Sequence, residues 1–467
     1  MGQGSSLIQP RTVTGDGTGM VSHAGIAWLA ETADLAGLTG GLSAAMAAVP
    51  QRRHDPGRTL AHMILALADG ATCLSDLAAV RSQQSMHGPV ASEATVWRTF
   101  DHIGPVELRG IASARAAARE RAWAAGAGPA GDDLIIDFDA TLINTKADKQ
   151  DARPNYKRGY GHHPLLAIVA DTDEVLTGTL RPGNAGSNTA IDHVTVLADA
   201  LAQLPASWRA GHAAGDDPSE VAHQVLIRAD AGGASHWFAE ECVDRNLDYS
   251  FGFHIDHRVR DGVMMIPTGC WHPAIDIGVA RRDGAEVVEL TDFVDLTAWP
   301  TGTRLIVRRE RPHPGAQLTL FDTIEGFRHT AFITNQTSAD VAALELQQRQ
   351  RARAENVIRD TKACGLANLP FDDIVNNEVW MNLCFAANDL LSWAQRIGCT
   401  GQLRRATPKT IRHRMLHIAA RITPNNRRLH LDRDWPWTQH VIDAIHRVRT
   451  AFRALTQATA TTAQAAL

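Results

Sequence analysis

The sequence is short of several things, and each shortage excludes something. Its six cysteines (Cys73, Cys242, Cys270, Cys364, Cys384 and Cys399) include no CxxC pair, which argues against a disulfide framework or a zinc knuckle and fits a reducing cytoplasm. No window approaches the roughly 18 uninterrupted apolar residues of a membrane span. The N-terminus lacks the charged-then-apolar layout of a signal peptide. No membrane partner is therefore expected. Lysine is confined to positions 146, 149, 157, 362 and 409, so that 41 of the 46 basic residues are arginine. What is present is a chain of 467 residues, 44% hydrophobic and 21% charged, enough for several domains of roughly 100–200 residues with real apolar cores. A disordered tail protein and a collagen are excluded.

The formal net charge of −5 by itself argues against a nucleic-acid partner, but the charge is unevenly spread. From Gly401 to the end there are twelve Lys or Arg against Asp432, Asp434 and Asp443, a segment of +9 on a body of −14. Such asymmetry points to polyanion contact. Arginine's planar fork suits phosphate, although an arginine bias also follows from genomic composition.

Residues 1–20 are polar and Gly-rich and read as a mobile arm. From His23 to Arg121 the period is helical, and we expect a helical N-terminal DNA-binding region over 1–125. Within it, Ala91 to Phe100 reads as a helix with Ser92 as N-cap. Carrying Thr95, Arg98 and Thr99, it suits either a recognition helix or an ordinary bundle helix. Gly126-Ala-Gly-Pro-Ala-Gly131 matches GxGxxG but precedes a strand instead of following one, so it reads as a linker. Strands are then expected at 134–139, 163–169 and 175–180, a helix from Asn188 to Leu204, a strand at 224–229, a helix at 235–245 and a strand at 248–253. This β-β-β-α-β-α-β order is that of a ribonuclease H-like core, its first part spanning 132–260. Strands at 286–290, 303–308, 317–321 and 330–334 form an expected inserted β subdomain over 261–336. A helical second part of the core (337–400) and an Arg-rich C-terminal region (401–467) follow. The fold class is mixed α/β.

Asp137 and Asp139 are two apart on the first strand and so face the same way. A carboxylate on a strand of Leu and Ile is costly unless paired or metal-bound. Asp230 ends the fourth strand. If strands one and four are neighbours, Asp139 and Asp230 meet at their C-terminal ends. The helix Arg349 to Lys362 has no Gly or Pro, and at about 100° per residue Arg351, Glu355, Arg359 and Lys362 share one face. Alone, that face reads as a salt-bridge network; beside two aspartates, Glu355 completes a two-metal site. Arg181-Pro-Gly-Asn-Ala-Gly186 reads as a turn or a DNA contact. His162-His163, Trp299 and Trp435-Pro-Trp437 read as packing residues.

The Arg351-(3)-Glu355-(6)-Lys362 spacing resembles the signature of insertion-sequence transposases with a DDE triad, in which a Tyr lies three residues before the Arg; Gln348 stands there in this chain. Five further segments resemble the insertion sequence 1380 family: Asp137-Phe-Asp-Ala-Thr-Leu142, Lys157 to Leu166, Leu180 to Asn188, Ile227-Arg-Ala-Asp-Ala-Gly232 and Arg353-Ala-Glu-Asn-Val-Ile358. The resemblance implies a ribonuclease H-like transposase using Mg²⁺, with Mn²⁺ as a substitute. It implies Asp139, Asp230 and Glu355 as catalytic metal ligands, with Asp137 the alternative first aspartate. Arg351, Arg359 and Lys362, with Arg98 and Arg181, are the expected DNA contacts. The implied activity is cleavage at element ends and strand transfer into target DNA, on double-stranded DNA, by a homodimer working on the bacterial nucleoid in the cytoplasm. The rival readings are a two-metal nuclease without strand transfer and a non-catalytic DNA-binding protein derived from a transposase.

Overall fold

Leu134–Ala140 (β1) lies in the middle of a nine-stranded sheet in the computed structural model of the chain. The structure describes residues 12, 14, 16–50, 53–186, 189–312, 314–315, 318–423 and 428–465. Most of the arm expected over 1–20, Ser187 and Asn188 of the third family-like segment, Gln317 and Arg427 lie outside the described residues. The strands Leu165–Val169 (β2) and Glu174–Thr179 (β3) follow β1 as an antiparallel meander. After the helix Ala190–Ala202, Val225–Ala229 (β4) returns parallel to β1. After the helix His236–Asp244, Asp248–Phe253 (β5) runs parallel to β4. The core order β3-β2-β1-β4-β5 is the ribonuclease H-like arrangement, with the expected elements in the expected order. Every residue of β4 is buried, as expected of a central parallel strand, including Arg228, whose charge is paired with Asp137.

His272–Ile275 (β6), Arg281–Glu289 (β7), Arg304–Glu310 (β8) and Arg328–Thr334 (β9) continue the same sheet: β9 pairs antiparallel with β5, as Ile333 opposite Phe251. The inserted strands thus extend the core instead of forming a sheet apart. One expectation here is corrected, and one strand was not foreseen. Gln317–Phe321 is not a strand among the described residues; a helix, Leu320–Glu325, begins there, because Thr319 accepts the Asp322 amide while the Asp322 carboxylate takes the Thr319 N–H and hydroxyl, a reciprocal cap. And β6, carrying a proline in an edge strand, had no alternating pattern to announce it.

The N-terminal helices are not a free-standing module. Pro56–Asp69 (α1) starts with Asp55 accepting the Arg58 N–H at 2.6 Å, has Pro at its first position and ends at Gly70 with φ 113°. It is buried along nearly its whole length, against the 25-residue helix Ile374–Gly398 (α4). Between them in the chain come Glu93–Phe100 (α2) and Pro105–Ala122 (α3). α4 is buried on nearly all sides, the mark of a helix inside a fold. One continuous apolar core joins Trp28, Phe138, Trp380 and Val441. No single helix among the described residues is long and apolar enough to cross a membrane.

A fully buried polar network holds these layers together. Asp389 on α4 accepts Arg115 and Arg119 of α3 at 2.7 and 2.6 Å and the Val175 amide of β3 at 3.0 Å. Glu174 accepts Arg119 at 2.7 Å and the indoles of Trp123 and Trp393 at 2.7 and 2.8 Å.

Candidate active site

Two carboxylates meet where β1 and β4 end. Phe138 pairs with Ala229 in parallel register, so the next residues, Asp139 and Asp230, leave adjacent strands side by side. Asp230 is oriented by its own turn: its Oδ1 accepts the Gly232 and Gly233 N–H groups at 2.9 and 3.3 Å. Gly252 on β5 makes room for this loop, since a Cβ there would lie 2.6 Å from the Ala231 nitrogen and 3.0 Å from the Asp230 carbonyl carbon. Burial pushes the Asp139 carboxyl up to about 6; Arg351 opposes the shift and the Asp230 charge adds to it.

Asp137 faces the same side but is committed elsewhere. It is fully buried, and the Arg228 guanidinium grips both its oxygens at 2.7 and 2.8 Å, a fork-to-fork pair.

The Glu355 helix crosses these strand ends and is docked by its neighbours. It runs as Val341–Arg349, a tighter turn at Gln350–Arg353, then Ala354–Thr361. Arg228 also donates to the Gln347 carbonyl. Gln348 donates to the Ala229 carbonyl at 3.1 Å and accepts from Ser250 at 2.8 Å. The glutamine at the Tyr position thus fastens the helix to β4 and β5, a role that spacing alone did not reveal. One turn on, Arg351 lies 3.4 Å from Asp139. Lys362 donates to the Thr141 hydroxyl at 2.7 Å and the Leu142 carbonyl at 2.9 Å. Glu355 lies on the helix between these two contacts and is exposed. Among the described residues its carboxylate does not form a tight three-ligand cluster with Asp139 and Asp230; it shares their edge of the sheet without closing on them.

The expected DNA contacts divide. Arg359 is 60% exposed, next to Asp360 and Asn356. Arg98 is exposed on α2. Lys362 is half-buried, its pKa lowered by burial and then by Lys157, and two of its N–H groups are occupied within the chain. Arg181 differs from the others: its side chain is buried, donating to the His163 carbonyl at 2.9 Å and pairing with Asp192 at 3.2 Å, so that it braces a turn. The basic C-terminal region is likewise partly engaged within the chain: half-buried Arg412 is bonded to the Ala68 carbonyl at 2.8 Å, and exposed Arg449 pairs with Glu31 at 2.5 Å. Helix α2 starts after Ser92 as expected, but the Ser92 hydroxyl meets the Thr95 hydroxyl instead of capping an amide.

Among the described residues, the group of three ligating side chains that does lie close together is elsewhere: His23, Asp69 and His417. His23 Nδ1 is 2.6 Å from one Asp69 oxygen and His417 Nε2 is 2.9 Å from the other, with the rings stacked at 4.1 Å. Parallel stacked rings do not aim their in-plane lone pairs at one ion, so this is a clasp joining the N-terminal region, α1 and the C-terminal region. The hydrogen bond that the His23 ring donates to Asp69 raises the His23 pKa. Burial alone would raise Asp69, but the bonds and charge of the two imidazoles hold it below its ordinary value. A raised histidine stabilises the fold fully below about pH 6.5 and loses that contribution as pH rises through its folded value; a lowered aspartate contributes above about pH 4 and fails as pH falls. The melting-temperature difference between wild type and His23→Ala should therefore be larger at pH 5.5 than at pH 8.5; an equal or larger difference at pH 8.5 would remove the clasp from the account.

The ribonuclease H-like sheet thus carries Asp139 and Asp230 at the ends of adjacent parallel strands, with the Glu355 helix docked beside them. The chain belongs to the transposase DDE domain group 1 family, whose model matches residues 8–452. No curated protein sequence matches it. Among solved structures it is similar to a piggyBac transposase in a synaptic complex with hairpin DNA, at 10% identity over 92% of this chain and 85% of that one, with a TM-score of 0.41.

Proposed function

We propose that this chain is the transposase of an insertion sequence of the 1380 family, cutting double-stranded DNA at the element's ends and joining the freed 3′ ends to target DNA. Asp139, Asp230 and Glu355 are the catalytic carboxylates in this reading, and Mg²⁺ or Mn²⁺ is the cofactor. The observation that carries it is the parallel register that brings Asp139 and Asp230 together beneath the docked Glu355 helix. The donor set fits a hard divalent ion: it is all oxygen, and a buried carboxylate raised to about 6 beside a second one favours a cation there. Divalent ions bound by such carboxylates activate the attacking hydroxyl and stabilise the leaving oxygen.

The chain's own residues do the positioning. The Gly232 and Gly233 amides fix the Asp230 carboxylate. Gln348 and Arg228 hold the Glu355 helix to the strand ends, and Arg228 keeps Asp137 occupied, which favours Asp139 as the first ligand. Lys362 orders the Thr141–Leu142 segment that follows Asp139. Arg351, beside Asp139, and the exposed Arg359 further along the same helix supply cations for DNA phosphates, positioning without reading sequence. End recognition is assigned to the N-terminal region with Arg98, synapsis of two ends to a homodimer, and the site of action to nucleoid DNA in the cytoplasm.

The test is incubation with Mg²⁺ and a supercoiled plasmid bearing the element's own ends. Excised and joined products are expected; cleavage without joining would favour the two-metal nuclease, and no cleavage the non-catalytic protein. A quieter variant probes the geometry: Gly252→Ala pushes on the Asp230 loop, and a displacement of about 1 Å at a reacting group costs roughly 10²-fold. Gel-resolved cleavage rates should fall by that order, and an unchanged rate would show that the loop tolerates the methyl.

A further inference from the structure

The C-terminal region carries an apolar stripe that the core does not use. Helix Thr438–Ala465 (α5) buries Val441, Ala444, Val448 and Phe452. Ile442 and Ile445 lie roughly 90° round the helix from that stripe and are only partly covered. They line a groove of about 1100 Å³ whose other wall is a hairpin, Ala420–Thr423 (β10) with Arg428–Leu431 (β11). Ile422 and its cross-strand partner Leu429 line the same groove, with Leu431 and Met86, so its floor is apolar.

β11 is an edge strand. β10 is the middle strand of a three-stranded sheet, with Met20–Val21 on its other side. Among the described residues no hydrogen bond reaches the free edge of β11. All four residues of β11 line the groove, as they do when a cavity runs along a strand's edge and not beneath one face. Such an edge leaves a row of N–H and C=O groups open to another strand. The stretch of α5 from Thr438 to Arg449 is about 16 Å long, room for about five residues of extended chain.

The rim is cationic. Arg428, His430, Arg433 and His446 are exposed around it. Its single carboxylate among the described residues, Glu31, is held by Arg449 through two bonds of 2.5 and 2.9 Å. Arg433 has only its neighbour Asp434, at 3.4 Å and itself exposed. A second copy of β11 would bring the same cations against these, and like charges across a strand pair repel. A nucleic-acid backbone would satisfy the cations but leave Ile442, Ile445 and Leu429 without apolar contact. An acidic strand with alternating apolar residues satisfies edge, floor and rim together. We propose that this groove binds an extended acidic segment of a partner protein, added to β11 as a further strand. Its apolar side chains pack toward Ile442 and Ile445 and its carboxylates toward Arg428 and Arg433. The carboxylate site of the sheet takes no part.

The probe is a labelled peptide of Glu-Val repeats, titrated into the full chain by fluorescence anisotropy without divalent metal. It is expected to bind about tenfold or more tightly than a peptide of Lys-Val repeats. Two N-methylated forms of the Glu-Val peptide, one blocking the Glu amides and the other the Val amides, separate strand addition from loose apolar contact. Successive N–H groups of a strand point to opposite edges, so one form should lose binding and the other keep it. Charge reversal, Arg428→Glu with Arg433→Glu, is expected to turn the preference to the Lys-Val peptide with an unchanged melting temperature. Ile445→Asp is expected to weaken the Glu-Val peptide by about tenfold or more. Failure of the Glu-Val peptide to bind the wild type overturns the proposal, as does equal affinity for the Glu-Val and Lys-Val peptides or equal binding of the two N-methylated forms. Displacement of the peptide by duplex DNA of arbitrary sequence would give the groove to DNA, and a dimer in sedimentation that Ile445→Asp dissolves would give it to a second copy; either result overturns it.

Discussion

Replacing Asp230 by Asn, or Glu355 by Gln, is expected to slow cleavage of an end-bearing plasmid in Mg²⁺ by roughly 10²–10³-fold or more, the scale for removing one group that stabilises charge in the transition state. Both substitutions keep shape and remove charge. The asparagine oxygen can still accept the Gly232 and Gly233 N–H groups that shape the Asp230 turn, so the loop should survive and the loss should fall on the chemistry. Glu355 is exposed and, among the described residues, makes no side-chain hydrogen bond or ion pair, so its variant should melt as the wild type does. Single-turnover cleavage with a parallel melting curve decides it, and wild-type rates in either variant would remove that residue from the site. Asp137→Asn should behave differently. It weakens the buried pair with Arg228, so its first effect should be a lower melting temperature.

Asp389→Ala is expected to destabilise the fold by about 3–5 kcal/mol, the cost of breaking a buried ion pair from one side. Asp389 is fully buried and is the shared partner of Arg115 and Arg119, both also buried. Its removal leaves two guanidiniums without that carboxylate and the Val175 amide without an acceptor. Because α3, β3 and α4 meet there, the loss should appear as a lower denaturation midpoint together with faster amide exchange in α3. A midpoint within experimental error of wild type would show that Glu174 and Gln203 suffice for Arg119 and that the surroundings relax around Arg115.

The parts of the core that were legible in sequence were those with strong periodicity. The strand at 248–253 falls where alternation and flanking turns put it, and those at 134–140 and 225–229 agree within a residue. Failures came where local hydrogen bonding overrode pattern. Leu318 to Phe321 looks like a strand, yet the reciprocal bonds of Thr319 and Asp322 begin a helix there. For the site, residue types and spacing pointed to Asp139, Asp230 and Glu355, but the function of Gln348 was invisible: its partners, Ala229 and Ser250, are more than 95 residues away. The same holds for Arg181, whose place in a Pro-Gly-Asn turn suggested a surface contact until the Asp192 pairing buried it.

Net charge illustrates the division. The sequence by itself determined that the chain carries an arginine excess at its C-terminal end and that two aspartates share one face of an apolar strand, because composition and a period of two are local properties. Which of those charges faces solvent was decided only by the tertiary structure. Arg412 is bonded to backbone carbonyls inside the chain, Arg449 pairs with Glu31 at the surface, Asp137 is neutralised by Arg228, and Arg53, Arg81 and Arg98 line one cleft without acids. The reason is physical. A charge finds or lacks its partner across distances set by packing, and the cost of desolvating it, which decides whether it must be paired, depends on burial that no local pattern specifies.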